Sequence, residues 1–81
     1  MSSYEPFGEL YENRPQMIIQ ERFKNCNSVM QLAEQAKGKG YQVIFEPGGF
    51  LNDIQMHEGY DSSTKLKNHT IRSAKLFLEN L

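Results

Sequence analysis

The run Tyr41–Glu46 lies between two groups of glycine and proline residues, and this bracketing constrains the fold more than any other feature of the chain. The run is rich in β-branched and aromatic residues, which favour an extended strand. Gly38 and Gly40 precede it, and glycine commonly ends a helix. Pro47-Gly48-Gly49 follows it, a combination typical of a tight turn. The sequence therefore predicts a helix ending near Gly38, a strand over 41–46 and a turn directly after that strand.

A second extended segment follows this turn. Over residues 50–57, Phe50, Ile54 and Met56 alternate with mostly polar residues, a pattern typical of a strand with one largely apolar face. We therefore predict that residues 41–57 form an antiparallel β-hairpin closed by Pro47-Gly48-Gly49.

Two segments show helical periodicity. In the first, which we expect to be capped by Asn27 or Ser28, the predicted buried stripe comprises Val29, Leu32, Ala33 and Ala36. In the second, which we expect to begin between Ser63 and Thr70 and to reach the C-terminus, the stripe comprises Ile71, Ala74, Phe77, Leu78 and Leu81.

Residues 15–26 fit either a strand or a helix. In a strand, Met17, Ile19 and Phe23 share one face, whereas in a helix Pro15 suits the first turn and Ile19, Phe23 and Cys26 share a face. A helix would have to run through Asn25, which favours caps and turns over helix interiors. We therefore favour a strand over about 16–24.

The length of 81 residues suits one domain with a core close to the minimum size. We expect an N-terminal arm over 1–14 and a single α+β domain over 15–81. The predicted element order is β-α-β-β-α, a small two-layer sandwich in which the hairpin, or a three-stranded sheet that includes the first strand, packs against two helices.

Charges alternate in blocks along the chain, although the net charge is only -1. The blocks carry -3 over 1–12, +3 over 13–45, -4 over 46–61 and +4 over 62–78. Two arrangements are open: blocks on separate faces would make the surface strongly dipolar, and blocks packed side by side would partly cancel.

The sequence offers little support for catalysis or metal binding. Cys26 lies between two asparagines, a setting more typical of an ordinary thiol than of a nucleophile, and no nucleophile elbow or phosphate-binding loop is present. His57-Glu58-x-x-Asp61 with His69 supplies four metal-binding groups, but Gly59 argues against the helix that such spacing requires. We expect no enzymatic activity, no metal and no cofactor.

Two binding functions remain, and they would use different residues. Aromatic side chains concentrate at the centres of protein interfaces, so we predict a protein-binding domain, an inhibitor or adaptor of the kind encoded by phages and mobile elements, with a homodimer as one form of the complex. Its partner-binding residues are predicted to be Tyr4, Phe7, Tyr11 and Tyr60. The alternative is a nucleic-acid-binding module that contacts phosphates through Lys65, Lys67, Arg72 and Lys75.

The cellular location is constrained by simple features of composition. No window approaches the roughly 20 apolar residues of a membrane span, and the first ten residues lack the basic and apolar regions of a secretory signal. A single cysteine excludes an internal disulfide. We therefore expect a cytoplasmic protein.

Overall fold

A computed structural model describes residues 14–48, 52–58 and 65–81. Within these ranges the chain forms a four-stranded sheet and two helices, so the α+β class is confirmed. A short 3-10 turn, Glu21–Phe23, follows the first strand. The elements are β1 (Gln16–Gln20), α1 (Asn27–Gly38), β2 (Gln42–Glu46), β3 (Ile54–His57), β4 (Leu66–His69) and α2 (Ile71–Glu79).

The sheet has the strand order β2-β1-β3-β4. Strands β1 and β2 are parallel, with Ile18 opposite Ile44, and α1 provides the crossover between them. On its other side β1 pairs with β3 in antiparallel fashion, with Ile18 opposite Gln55. Strand β4 then pairs antiparallel with β3 and forms the far edge. The ambiguous segment is therefore a strand, as favoured, although it ends at Gln20.

The predicted hairpin over 41–57 is wrong. Its two strands exist as β2 and β3, but β1 lies between them in the sheet. Strand β3 instead pairs antiparallel with β4, the strand that follows it in the chain. The physical reason is the burial of β1: Met17, Ile18 and Ile19 are consecutive and all buried, so β1 is most stable with a strand on each side. Gly49, in the predicted turn, lies outside the described residues.

Strand β4 was missed, because its residues were included in the range where the last helix was expected to begin. The helix begins only at Ile71, after the N-cap residue Thr70. Thr70 Oγ1 accepts from Ser73 N at 3.0 Å, and Thr70 N donates to Ser73 Oγ at 3.0 Å, so the two residues form a capping box. Leu66 is the only aliphatic residue in β4, which leaves the strand with almost no local signal.

The core lies between the sheet and the two helices, which contact each other on the same side of the sheet. The predicted stripe of α1 is confirmed, since all four of its residues are buried. In α2 Ala74 and Leu78 are fully buried, but Leu81 is 40% exposed because the helix ends before it. The buried cluster comprises Met17, Ile19, Val29, Leu32, Ala33, Ala36, Tyr41, Ile54, Met56, Ala74 and Leu78.

Tyr41 connects the beginning of β2 to the end of β3. Its side chain is 1% exposed, and its hydroxyl donates to the His57 carbonyl at 2.6 Å. The Gln16 backbone N–H donates to His57 Nδ1 at 2.7 Å, so the same histidine also holds the beginning of β1. Because Nδ1 accepts this bond, the proton of the neutral ring is on Nε2. Three strands are therefore fastened together at one end of the sheet.

The N-terminal end of α1 differs from expectation, and its C-terminal end agrees with it. The helix begins at Asn27 with Cys26 as its N-cap residue and no side-chain capping bond, so neither Asn27 nor Ser28 is the cap. At its other end Gly40 adopts a φ of 94°, and the Gly40 N–H donates to the Lys37 carbonyl at 3.0 Å. The prediction that glycines end this helix is therefore confirmed at Gly40.

We expect alanine substitutions of the two glycines at this end to change the free energy of unfolding in opposite directions. We expect Gly40→Ala to lower the free energy of unfolding by about 1 kcal/mol, because an L-residue resists positive φ. Gly38→Ala should raise it by up to about 0.5 kcal/mol, since Gly38 is helical and a Cβ there would meet no atom within 4 Å. Urea denaturation of both variants measures this difference, and two changes of the same sign would contradict it.

Candidate functional site

The outer edge of β2 is the first candidate site. Within the described ranges β2 pairs only with β1, so its other edge faces outward. The Gln42 N–H donates to the Pro15 carbonyl at 2.8 Å and therefore points toward β1. In a parallel pair, the N–H and C=O groups of successive residues alternate between the two sides of the strand. The backbone groups of Val43 and Phe45 consequently point away from the sheet.

The side chains of β2 do not protect this edge. Gln42, Val43, Ile44 and Phe45 are uncharged, and the only charge in the strand is Glu46 at its end. Natural sheets usually protect an open edge with lysine, proline, a bulge or a covering element. The opposite edge follows this practice, because Lys67 lies within β4 and Lys65 directly precedes it. The edge at β4 is thus protected by lysine, whereas the edge at β2 is not.

Gln42 also carries an unsatisfied polar atom. Its Oε1 is buried and has no hydrogen-bond partner among the described residues. A buried polar atom without a partner is uncommon, since such groups are costly.

The sheet face opposite the helices is rich in amides. Its central side chain is Ile18, which lies between Ile44 of β2 and Gln55 of β3 in the sheet register. Gln55 Nε2 donates to Asn68 Oδ1 at 2.9 Å across the β3–β4 pair. This amide-rich face consists of Gln16, Ile18, Gln20, Gln42, Ile44, Glu46, Gln55, His57, Leu66 and Asn68.

A polar cluster on β4 is the second candidate site. His69 Nδ1 lies 3.0 Å from Ser73 Oγ, and His69 Nε2 lies 3.3 Å from Glu58 Oε2. Lys67 Nζ lies 3.1 Å from Glu58 Oε1, and Phe77 packs beside the imidazole with ring centroids 5.9 Å apart. The cluster joins the end of β3, the edge strand and the beginning of α2.

Serine, histidine and glutamate follow one another as a nucleophile, its base and an orienting carboxylate do, but His69 Nε2 forms no hydrogen bond with Glu58. Ser73 Oγ is, however, already part of the capping box, where it accepts from the Thr70 N–H and lies 3.2 Å from the Thr70 carbonyl. No cavity is found next to it in the described part of the chain. The cluster therefore stabilises the junction of β4 and α2 and offers a substrate no enclosed place.

The predicted metal-binding groups are only partly brought together. Glu58 and His69 are adjacent, but His57 uses Nδ1 for the Gln16 N–H on the amide-rich face. Asp61 lies outside the described residues. Across 14–48, 52–58 and 65–81, no group of three histidine, cysteine or acidic side chains is arranged around a common point.

The predicted nucleic-acid-binding cations lie on two elements. Lys67 is on β4, within the range where the last helix was expected to begin, whereas Arg72 and Lys75 are exposed on α2 and Lys65 precedes β4. Lys67 is paired with Glu58, an acid from a separate segment of the chain. Arg22 similarly pairs with Asp53 at 3.2 Å. At these two pairs the charge blocks therefore lie side by side and cancel.

The predicted aromatic anchors Tyr4, Phe7, Tyr11 and Tyr60 all lie outside the described residues. The sequence analysis did not single out the uncharged edge of β2 as a candidate surface. A signal was nevertheless present, because Gln42–Phe45 contains no charge. It becomes informative only once β2 is known to be an edge strand.

No family model, no characterised protein and no solved structure matched this chain in the comparisons made. No helix in the described ranges has the length and apolar character needed to cross a bilayer. The function is therefore inferred from the surface of the molecule.

The ion pair of Lys67 generates a prediction with a matched control. Lys67→Glu would place a second carboxylate beside Glu58, and we expect the free energy of unfolding to fall by about 0.5–1 kcal/mol. Arg72→Glu should raise it by up to about 0.5 kcal/mol, because acidic side chains interact favourably with a helix N-terminus. Urea denaturation at low salt tests both variants, and equal effects would contradict the assigned positions.

Cys26 generates a second prediction. The Ser28 hydroxyl, 3.2 Å from the thiol sulfur, lowers the pKa of Cys26, and the Val29 backbone N–H adds to this effect because both stabilise the thiolate. Ser28→Ala should raise this pKa, so alkylation by iodoacetamide at neutral pH should become slower. The rate is measured against pH, with Ser73→Ala as a control that should leave the profile unchanged. An unshifted profile in Ser28→Ala would contradict the contact.

Proposed function

We propose that this chain is a non-enzymatic protein-binding domain of the cytoplasm, an inhibitor or adaptor that receives a strand of its partner at the outer edge of β2. One observation carries the proposal: this edge is uncharged over Gln42–Phe45 and is open within the described ranges, while the other edge of the sheet carries lysine. Strand addition is a common mode of peptide recognition, in which main-chain hydrogen bonds provide affinity and alternate side chains provide specificity.

The backbone of Val43 and Phe45 defines what a docked strand would bond to. Their outward N–H and C=O groups offer two donors and two acceptors, and each net hydrogen bond contributes about 0.5–1.5 kcal/mol. On the helix side the partner's side chains would meet Val43 and Phe45, which are already partly buried against the core. On the other side they would meet Gln42 and Ile44.

These two sides select for a partner strand of mixed character. Apolar residues suit the helix side, because Val43 and Phe45 extend the core to the edge of the sheet. Residues that hydrogen-bond suit the amide-rich face, where Gln42 has an unsatisfied oxygen. The partner strand needs no lysine or arginine for binding. A single cation on that strand opposite Glu46 would interact favourably with its carboxylate.

The nucleic-acid alternative has less support. Lys67 is paired with Glu58, and the remaining cations are spread between the segment before β4 and one face of α2. A phosphate-binding surface needs several unpaired cations together, because affinity increases with each phosphate neutralised. The pairing of Lys67 with Glu58 removes one of the four predicted cations from such a surface.

A lysine on each edge in turn tests the proposal. We expect Ile44→Lys to weaken binding of the partner at least about tenfold, which corresponds to about 1.4 kcal/mol. Asn68→Lys adds the same charge to the same face at the opposite edge and should leave binding unchanged. Both variants are compared with the original chain in affinity capture, followed by titration with each protein recovered.

Amide hydrogen exchange localises the contact. The N–H groups of Val43 and Phe45 should exchange quickly in the free domain and become protected in the complex, since they point outward until a strand is added. The inward N–H of Gln42 should be protected in both states. Equal binding by Ile44→Lys would contradict the proposal, as would salt-sensitive retention of labelled DNA or RNA without any protein partner.

A further inference from the structure

We infer that the strand added to β2 is β2 of a second copy of this chain, paired antiparallel about a two-fold axis at Ile44. The inference rests on the proposed function, since it assumes that the outer edge of β2 is a docking edge, and it names the partner of that edge. It follows from the backbone groups that β2 exposes and from the order of its side chains.

The hydrogen-bonding groups fix the register. In an antiparallel pair, residues whose N–H and C=O groups both face the other strand bond reciprocally, and these pairs alternate with non-bonded pairs. On β2 the outward residues are Val43 and Phe45. Placing Val43 opposite Phe45 of the second copy forms two hydrogen bonds, and the two-fold axis repeats them. Four backbone hydrogen bonds result, with Ile44 opposite its own symmetry mate.

The side chains agree with this register. Ile44 meets Ile44 on the amide-rich face, and Val43 meets Phe45 on the helix side, so three apolar cross-strand contacts form. Gln42 lies opposite Glu46 of the second copy, where the amide N–H of Gln42 can donate to the carboxylate. The two Glu46 residues are roughly 13 Å apart along the paired strands, beyond a Debye length of about 8 Å at physiological salt.

The neighbouring two-fold registers are worse. Moving each strand one residue toward Pro47 places Ile44 opposite Glu46 and puts Pro47, which has no N–H, at a hydrogen-bonding position. Moving the strands the other way requires the Tyr41 N–H, which already donates to the Ala36 carbonyl at 3.0 Å. Only the register centred on Ile44 uses all the outward groups and places no charge opposite an apolar side chain.

The opposite edge does not offer the same solution. A second copy added along β4 would bring Lys65 and Lys67 of both copies to the new contact, because the two-fold axis repeats each cation there. Lysine at an edge strand opposes pairing of this kind. The asymmetry between the edges thus selects a closed dimer and opposes a chain of sheets growing from both edges.

Sedimentation equilibrium provides the first test. The interface is small, so we expect a weak dimer: the weight-average mass should rise from 9.4 kDa toward twice that value as the concentration increases from roughly 10 µM to 1 mM. Ile44→Lys should remain a monomer over this range, because two ammonium groups would meet at the axis. Asn68→Lys should associate like the original chain.

Disulfide trapping tests the register in a Cys26→Ser background. Ile44→Cys should form a covalent dimer under mild oxidation, because the Cα atoms of a non-bonded antiparallel pair are about 4.5 Å apart. Glu46→Cys should not, since its symmetry mate is roughly 13 Å away. Circular dichroism checks that each variant is folded. Asn68→Cys provides the matched control on the other edge and should also stay monomeric.

The outcomes separate this inference from the proposed function. If the chain stays monomeric and Ile44→Cys does not cross-link, while Ile44→Lys abolishes the binding of a different protein, the second copy is excluded and the docking edge stands. If the chain stays monomeric, Ile44→Cys does not cross-link and Ile44→Lys leaves the binding of every protein unchanged, both fall. Efficient cross-linking of Glu46→Cys, or of Asn68→Cys, would overturn the register in favour of another arrangement.

Discussion

The pairing of β1 on both of its edges is the constraint on which the rest of the structure depends. Its three consecutive buried residues, Met17–Ile19, are typical of a strand that has a neighbouring strand on each of its edges. The parallel pair with β2 requires a crossover, which α1 supplies, and the antiparallel pair with β3 brings the C-terminal half of the chain to the other side. In the predicted hairpin, β3 would lie directly beside β2. In the structure β1 takes that position, and the other edge of β2 is open in the described ranges.

Local features of the fold were predictable from the sequence, and strand neighbours were not. The stripe of α1 and the extended character of Gln42–Glu46 follow from periodicity and residue type, which act within a few residues. The choice between β1 and β3 as the neighbour of β2 depends on contacts far apart in the chain. The run Met17-Ile18-Ile19 carried the relevant signal, since a continuous apolar run is typical of a central strand. Strand β4 carried almost none.

The candidate sites were likewise predictable from the sequence only in part. The lack of charge in β2 is visible in the sequence, but its meaning depends on the strand being an edge. Glu58 and His69 belong to a motif that the sequence suggested, yet their partners Lys67 and Ser73 are assigned by strand pairing and by a helix cap. The fold, and not their spacing in the sequence, therefore makes these titratable residues neighbours at the junction of β4 and α2.

The hydrogen bond from Tyr41 to the His57 carbonyl has a consequence for recognition. It ties the first residue before β2 to a strand two positions away in the sheet, so β2 cannot separate from β1 without also releasing its tie to β3. A strand held at this point keeps its outward backbone groups in the extended geometry before any partner arrives. Under the proposed function, docking at such an edge would avoid much of the loss of conformational entropy that a flexible segment undergoes on binding.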